Sequence, residues 1–227
     1  MTESPGPDHS AAPGITLVGG GPADTSALKA ALSRAPRVVA ADGGADACLA
    51  HGLRPAAVVG DMDSLSPAAR SAFRDVLVPV AEQNSTDFAK ALRHADADFV
   101  LAVGFLGGRI DHALAVFSHL AERGSGAPAV VLLSAEDCVC LAPRRLALDL
   151  APGCRVSLWP LGRARLRSTG LRWPLDGLML EPAGRVGTSN RATGPVTLRC
   201  DGPCLLIVPL DALDALASGL GIGAGFA

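Results

Sequence analysis

The sequence predicts an α/β N-terminal domain, with a mostly parallel sheet flanked by helices, and a C-terminal all-β sandwich domain. In the first part of the 227-residue chain, short β-branched runs alternate with helical patterns, as in parallel strands joined by helices. From about Asp137 onward, Pro and Gly separate short runs of alternating hydrophobicity, which is typical of an antiparallel sandwich. This change of pattern places a domain boundary near residue 137.

The elements of the first domain follow in chain order. Glycines from Gly19 end the first strand, Asp24 is a suitable N-cap for the first helix, and Ser66 caps a helix that has proline at its first position. The predicted strands are 15–18, 37–41, 56–59, 76–80, 98–103 and 129–133. The predicted helices are 24–33, 45–51, a segment from residue 66, 85–94 and 110–123.

The second part carries seven predicted strands and one predicted helix. The strands are 138–141, 146–150, 155–159, 164–167, 185–187, 196–200 and 205–209, and the helix spans 211–220. Four segments result. They are a flexible polar leader at 1–13, the α/β domain at 14–136, the sandwich at 137–218 and a glycine-rich flexible tail at 219–227.

The composition excludes several classes of protein. A net charge of −2 gives no general attraction to nucleic acid, and few aromatic residues argue against a base-stacking surface. We find no apolar run of the ~20 residues that span a bilayer, and the leader lacks the apolar core of a signal peptide. We therefore expect a cytoplasmic protein. The six cysteines lack the C-x-x-C spacing of a zinc site.

Acidic residues follow short apolar runs or glycines in four segments, 41–45, 60–64, 85–88 and 107–112. Parallel sheets bind ligands at the carboxyl ends of their strands, and carboxylates there suit Mg²⁺, which in turn suits phosphates. Asp61 and Asp63 lie two residues apart, so an extended segment would point both to one side. The alternative interpretation is an acidic surface turn.

The segment at 85–88 begins a helix. Ser85 or Thr86 can cap it, and the three-residue spacing of Asp87 and Lys90 places both on one helical face. The N–H groups at the start of a helix attract phosphate, and Lys90 would add a positive charge beside that anion. The alternative is a cap with a surface ion pair.

The segment at 107–112 combines backbone freedom with charge. Gly107 and Gly108 allow the backbone to approach a ligand, and Arg109 can bind phosphate through two donors. Asp111 falls in the first turn of the following helix, where an acid also simply favours the helix dipole. In the second part, residues 187–190 offer small polar groups in a turn, and we expect Trp173 to pack rather than to stack on a ligand.

Taken together, these motifs resemble the thiamine pyrophosphokinase family. Its pattern contains Asp-Gly-Gly-Ala, then Gly-Asp-x-Asp-Ser, then Gln before Thr-Asp and Lys, then Gly-Gly-Arg-x-Asp-His, and finally Ser-Asn. The chain carries these motifs in the same order, beginning at Asp42, Gly60, Gln83, Gly107 and Ser189. The resemblance covers residues 15–209.

The resemblance implies an ATP-binding α/β domain, a sandwich that helps to bind thiamine, and a homodimer with sites at the interface. It implies Mg²⁺ ligands at Asp61, Asp63 and Asp87, with Asp42 and Asp111 lining the same acidic site. It implies nucleotide contacts from Gln83, Ser85, Thr86, Lys90 and Arg109. It implies substrate contacts from Asp42, Ser189 and Asn190, and a catalytic set of Asp42, Asp61, Asp63, Asp87, Lys90, Arg109 and Asp111.

The implied activity is that of a thiamine diphosphokinase. It transfers pyrophosphate from Mg·ATP to the hydroxyl of thiamine, giving thiamine diphosphate and AMP, and Asp111 or Asp42 would accept the hydroxyl proton. Three alternative functions are compatible with the same residues. They are a pyrophosphokinase acting on a hydroxymethyl pterin, a metal-dependent phosphoesterase, and a non-catalytic protein that binds nucleotide or thiamine.

Overall fold

The computed structural model describes residues 14–126 and 128–222. The predicted leader at 1–13 and residues 223–227 of the predicted tail lie outside the described residues. The described chain forms a mixed sheet of 13 strands with helices against its first half and a β-rich second half. None of the described helices is long and apolar enough to cross a membrane.

The first half alternates strands with helices, and its boundaries agree with the prediction within two residues. The strands are β1 (Ile15–Val18), β2 (Arg37–Ala41), β3 (Ala57–Gly60), β4 (Leu77–Pro79), β5 (Phe99–Val103) and β6 (Ala129–Leu133). The helices are α1 (Thr25–Leu32), α2 (Gly44–Ala50), α3 (Pro67–Ala72), α4 (Asp87–His94) and α5 (Ile110–Arg123). These strands pair in parallel in the order β6-β5-β1-β2-β3-β4, so their carboxyl ends meet at one edge.

Side-chain caps fix where three of these helices begin. Asp24 accepts a hydrogen bond from the Ser26 N–H, and Ser66 accepts one from the Ala69 N–H, as the sequence predicts. Of the two possible caps of α4, Thr86 is the one that acts, accepting from the backbone of the third helical residue at 3.2 Å. The cap orients the first turn of α4, which carries Asp87.

The second half extends the same sheet. Its strands are β7 (Asp137–Leu141), β8 (Arg145–Leu148), β9 (Arg155–Pro160), β10 (Ala164–Leu171), β11 (Met179–Leu180), β12 (Gly187–Asp201) and β13 (Cys204–Pro209), followed by a 3₁₀ turn and α6 (Leu213–Gly219). β7 pairs antiparallel with β6, so backbone hydrogen bonding continues across residue 137. The division into two domains there stays a prediction.

One strand differs from the prediction. The segments at 185–187 and 196–200, predicted as two strands separated by a turn, belong to the single 15-residue strand β12. Its first part pairs with β9 and its last part pairs with β8 and β10. Gly194 and Pro195 lie where the strand leaves one set of partners for the other.

Apolar clusters cover both faces of the parallel sheet. Within β1, Leu17 lies in one cluster and Val18 in the other, and neither side chain is exposed. Strands buried on both faces are typical of a sheet layered between helices. The predicted tail begins too early, because Gly219 ends α6 and Ile222 is buried in the core.

Two adjacent glycines provide a test of this packing. A Cβ atom on Gly44, the first residue of α2, would lie 2.0 Å from the Val18 carbonyl oxygen, whereas one on Gly43 would lie no closer than 3.5 Å to Ser64. We expect Gly44→Ala to lower the melting temperature by about 5–10 °C, because backbone atoms must move. Gly43→Ala should lower it by at most about 2 °C. Thermal unfolding measures both, and equal melting temperatures would contradict this packing.

Candidate active site

Three carboxylates meet where β2 and β3 end. Asp42 directly follows β2, and Asp61 directly follows β3. Because β2 and β3 are parallel neighbours, they end at the same edge of the sheet and bring the two residues together. Asp42, Asp61 and Asp63 each place a carboxylate oxygen within 4.8 Å of the other two. A group of oxygen ligands at this spacing is suited to a hard divalent cation such as Mg²⁺.

Glycine allows this close approach. A Cβ atom on Gly60 would lie 2.7 Å from the Cβ of Asp42, so a larger residue there would push the two strand ends apart. The Asp42 N–H donates to the Val59 carbonyl at 2.9 Å, and Asp42 itself adopts a left-handed backbone with φ of 40°. Aspartate is one of the few residue types that tolerate that conformation.

Asp61 and Asp63 converge for a reason other than the predicted one. They do not continue an extended strand, because β3 ends at Gly60 and Met62 turns the chain with φ of 70°. The Met62 side chain is buried, while the Asp63 N–H donates to the Asp61 carboxylate at 3.3 Å. A turn held by a buried methionine, and not strand alternation, therefore aligns the two acids.

The Asp42 carboxylate is buried and only half satisfied. Asp42 is 2% exposed, and its Oδ2 accepts a hydrogen bond from the Ser64 N–H at 3.3 Å. Its Oδ1 accepts no hydrogen bond from any described residue. Burial raises the pKa of Asp42, and the charges of Asp87 and Asp61 raise it further. A bound cation would satisfy this oxygen, so the residues present fit a metal ion.

Lys90 joins Asp87 to the cluster from the inside. Its side chain is 2% exposed, and its Nζ lies 3.1 Å from Asp61 Oδ2 and 3.1 Å from Asp87 Oδ1. Gln83 Nε2 also donates to Asp61 Oδ2, at 3.1 Å. The hydrogen bond from Lys90 is the main reason that the pKa of Asp61 is lowered to about 2. Asp61 is therefore ionised at every physiological pH.

A cleft of about 1090 Å³ opens beside the cluster. Its lining includes Asp42, Asp63 and Asp87, together with glycines of the loops after β1 and β5. Its volume suits a ligand of nucleotide size. Loops at the carboxyl ends of parallel strands thus form both the acidic cluster and the adjoining cleft, as the sequence indicated.

Arg109 stands at the rim of this cleft with its side chain 70% exposed. It donates two hydrogen bonds to Asp111, at 2.6 and 3.1 Å, and these lower the pKa of Asp111 to about 2. Thr86 lines the cleft at the start of α4, whereas Ser85 is engaged with Glu82 and Arg93 in the preceding loop. The structure therefore places Arg109 and Thr86 at the cleft and leaves Ser85 beside it.

Sequence reasoning missed several residues of the cleft, among them Asp46 and Phe105. Asp46 lies in the first turn of α2 and accepts a hydrogen bond from the Ser66 N–H at 3.0 Å, which ties α2 to the start of α3. Its position four residues after Asp42 was the available signal. Phe105, at the carboxyl end of β5, packs edge-on against Phe88 with ring centres 4.9 Å apart and forms an apolar wall.

Ser189 and Asn190 lie away from this cleft. They belong to β12 and not to a turn, at an irregularity in pairing where Ser189 has φ of 61°. In the strand order of the sheet, six strands lie between β12 and β2, so seven spacings of ~5 Å separate them, roughly 35 Å along the sheet. The structure therefore does not bring these two residues to the carboxylates of the same chain.

Asn190 holds Trp173 at the surface. The buried Asn190 amide donates to the Trp173 carbonyl at 2.7 Å and accepts from the Trp173 N–H at 3.2 Å. Trp173 is 52% exposed, so its burial does not support the prediction that it packs rather than stacks on a ligand. The Arg172 guanidinium lies 5.0 Å from the centre of its ring. The two backbone bonds to Asn190 fix the segment with its ring outward.

Family models match both halves of the chain. The model described as thiamin pyrophosphokinase, catalytic domain, matches residues 28–131, and the model described as thiamin pyrophosphokinase, vitamin B1 binding domain, matches residues 145–205. The chain belongs to the thiamine pyrophosphokinase family. The first match contains all the acidic residues of the cluster, and the second contains Trp173, Ser189 and Asn190.

Relatives of this thiamine pyrophosphokinase family member agree with the assignment. Thiamine pyrophosphokinase 1 of Oryza sativa subsp. japonica is 27% identical over an alignment of 157 residues, and the match covers 60% of this chain and 59% of the rice protein. The chain thus spans about three fifths of that curated relative.

Two solved thiamin pyrophosphokinases share the fold. The one from Candida albicans has a TM-score of 0.77 at 18% identity and covers 87% of this chain and 89% of its own. The one from Bacillus subtilis has a TM-score of 0.73 at 21% identity and covers 86% and 98%.

The half-satisfied carboxylate of Asp42 should lower the thermal stability of the protein at neutral pH. Because its folded pKa is raised, its charge costs stability at neutral pH, and this cost disappears as the pH falls below the ordinary value of 3.8. Asp42→Asn keeps the acceptor for the Ser64 N–H and tolerates the left-handed backbone. Without divalent cations at pH 7, we expect its melting temperature to exceed that of the unmodified protein by about 2–5 °C.

Thermal unfolding in a chelator between pH 3 and pH 8 measures this difference. It should shrink toward zero below pH 4, where Asp42 is protonated in both the folded and the unfolded chain. Asp75→Asn, at an exposed acid paired with Arg54, is the control and should give no gain at pH 7. A melting temperature of Asp42→Asn at or below the unmodified value would contradict a strained charge at this position.

Proposed function

We propose that this protein transfers pyrophosphate from Mg·ATP to the hydroxyl of thiamine, giving thiamine diphosphate and AMP. The observation that carries the proposal is an acidic cluster with a buried, half-satisfied carboxylate at Asp42, beside a nucleotide-sized cleft, in a chain that both family models match. Residues 14–136 would bind ATP and residues 137–218 would help to bind thiamine. The alternative acceptor, a hydroxymethyl pterin, has no support from the family models or from the relatives described above.

Asp42, Asp61 and Asp63 would hold Mg²⁺. They are the described acids whose oxygens lie close enough together to share one ion, and the free Oδ1 of Asp42 supplies an unused ligand atom. Asp87, the third ligand that the resemblance implies, has one oxygen bound to Lys90 and borders the same cleft. When bound, Mg²⁺ neutralises negative charge on the triphosphate.

The side chains around the cleft would position the phosphates. Phosphoryl transfer relies mainly on orientation and on charge stabilisation, so few groups have to react covalently. The exposed guanidinium of Arg109 can reach into the cleft, and Thr86 lies at the N-terminus of α4, where N–H groups favour an anion. Gln83 would orient Asp61 through their hydrogen bond.

Arg109 also controls whether Asp111 can act as a base. While it is bound to Arg109, Asp111 has a pKa of about 2 and accepts protons poorly. If Arg109 exchanges Asp111 for a phosphate, the pKa of Asp111 returns toward its ordinary value. We therefore assign to Asp111 the late acceptance of the thiamine hydroxyl proton, which leaves Asp42 free to hold the metal.

The active unit is proposed to be a homodimer. Ser189 and Trp173 are exposed, yet six strands separate β12 from the strands that carry the acidic cluster. A second copy of the chain can bring its own Ser189 to the cleft of the first. Ile110 and Leu114, which are exposed one turn apart at the start of α5, provide an apolar surface beside that cleft for such a contact.

Mass spectrometry of a reaction containing the protein, Mg·ATP and thiamine tests the transfer. We expect thiamine diphosphate to form in step with AMP. Asp61→Asn should lower the rate by roughly 10²–10⁴, since it removes a carboxylate from the cluster. Asp75→Asn, in an exposed ion pair with Arg54, should retain full activity. Formation of ADP with thiamine monophosphate would overturn attack at the β-phosphorus, and near-normal activity of Asp61→Asn would overturn the metal assignment.

Ser189 and Asn190 form a matched pair for the thiamine half of the site. Ser189→Ala removes an exposed hydroxyl, so the melting temperature should change by less than about 2 °C while the KM for thiamine rises about three- to tenfold. Asn190→Ala removes the buried amide that holds Trp173, so the melting temperature should fall by about 5 °C. Steady-state kinetics and thermal unfolding separate the two roles. An unchanged KM in Ser189→Ala would remove this residue from the thiamine site.

A further inference from the structure

The chain has two lysines, Lys29 and Lys90, against eighteen arginines. Lys29 is exposed on α1, whereas the side chain of Lys90 is 2% exposed on α4. Arginine is the ordinary cation of this chain, and it is also the side chain that binds phosphate with two parallel donors. A buried lysine at the acidic cluster therefore indicates a role for a compact point charge.

The contacts of Lys90 define that role. Its ammonium bridges Asp61, which follows β3, and Asp87, which lies in the first turn of α4, at 3.1 Å to each. Its neighbours on α4, Phe88, Ala89 and Ala91, are all buried. The ammonium thus joins two separate elements of the site while apolar packing encloses its stem.

We propose that Lys90 is a positioning residue that fixes the carboxylates of Asp61 and Asp87 before any ligand arrives and remains bound to them during the reaction. It acts through these two acids and does not bind the phosphates itself, in contrast to the contact that the family resemblance implies. The consequence for catalysis rests on the proposed function. The arrangement itself is a property of the protein without ligands.

Electrostatics favours this assignment. To reach a phosphate in the cleft, Lys90 would have to leave Asp61 and Asp87. The cluster to which Asp61 belongs would then lose the ammonium that offsets part of its charge. Arg109 has no such constraint, because its side chain is 70% exposed and that of its partner Asp111 is 65% exposed. Arg109 therefore contacts phosphate, whereas Lys90 positions the carboxylates that bind the metal.

Reductive methylation of the ligand-free protein, followed by peptide mass mapping, compares the two lysines directly. We expect Lys29 to be methylated at least about tenfold faster than Lys90, and addition of Mg·ATP to leave the rate at Lys90 unchanged. Asp87→Asn should raise the rate at Lys90, because one of its two partners loses its charge. Equal rates at the two lysines, or protection of Lys90 that appears only with Mg·ATP, would overturn the proposal.

Binding of Mn²⁺ to the nucleotide-free protein gives a second readout, by titration calorimetry or electron paramagnetic resonance. An ammonium bound to two carboxylates offsets part of their charge, so Lys90→Met should bind Mn²⁺ about tenfold more tightly. Lys90→Arg keeps the charge and should stay within about threefold of the unmodified protein, as should the control Lys29→Met. Unchanged affinity in a folded Lys90→Met would overturn the proposal.

These readouts separate the inference from the proposed function. Methylation and Mn²⁺ binding need no turnover, so both can fail while thiamine diphosphate still forms in the product assay. Conversely, protection of Lys90 and tighter binding of Mn²⁺ in Lys90→Met would stand if thiamine were not the acceptor. The comparison of methylation rates at Lys29 and Lys90 uses the unmodified chain, so it decides the question even if Lys90→Met does not fold.

Discussion

Concentrated negative charge at one edge of the sheet is the constraint on which the site depends. Asp42, Asp61 and Asp63 approach one another where β2 and β3 end, and Lys90 bridges Asp61 to Asp87 at the start of α4. Like charges at this spacing repel, and one buried ammonium offsets only part of that repulsion. The remaining imbalance is visible at Asp42, whose raised pKa and free Oδ1 prepare the cluster to receive a cation.

The parallel sheet supplies the rigidity that such a cluster requires. Apolar clusters pack against both faces of its strands, so the backbones at the carboxyl edge cannot separate to relieve the repulsion. Local features of the backbone then position the carboxylates. These features are the absence of a side chain at Gly60, the left-handed turns at Asp42 and Met62, and the Thr86 cap of α4. Core packing therefore stabilises a strained, charged arrangement that could not persist on a mobile loop.

Local signals explain why the first half of the fold could be predicted. Its strands are short β-branched runs between glycines, and its caps act within three residues, so neighbouring sequence determines both. β12 could not be predicted in this way, because its continuity past Gly194 depends on partners from β8, β9 and β10. The ordered motifs located the acids, but the burial of Lys90 and the bonds from Asn190 to Trp173 arise from tertiary packing that no spacing reveals.

Sheet continuity also determines what one copy of the chain can do. Because β7 adds antiparallel to β6, the strand order continues through β13, β9 and β12 away from β2 and β3. The polar residues of β12 thus move farther from the acidic cluster of their own chain as the sheet grows. A site that uses both halves is therefore difficult to assemble within one copy and straightforward between two, so the fold itself favours the proposed homodimer.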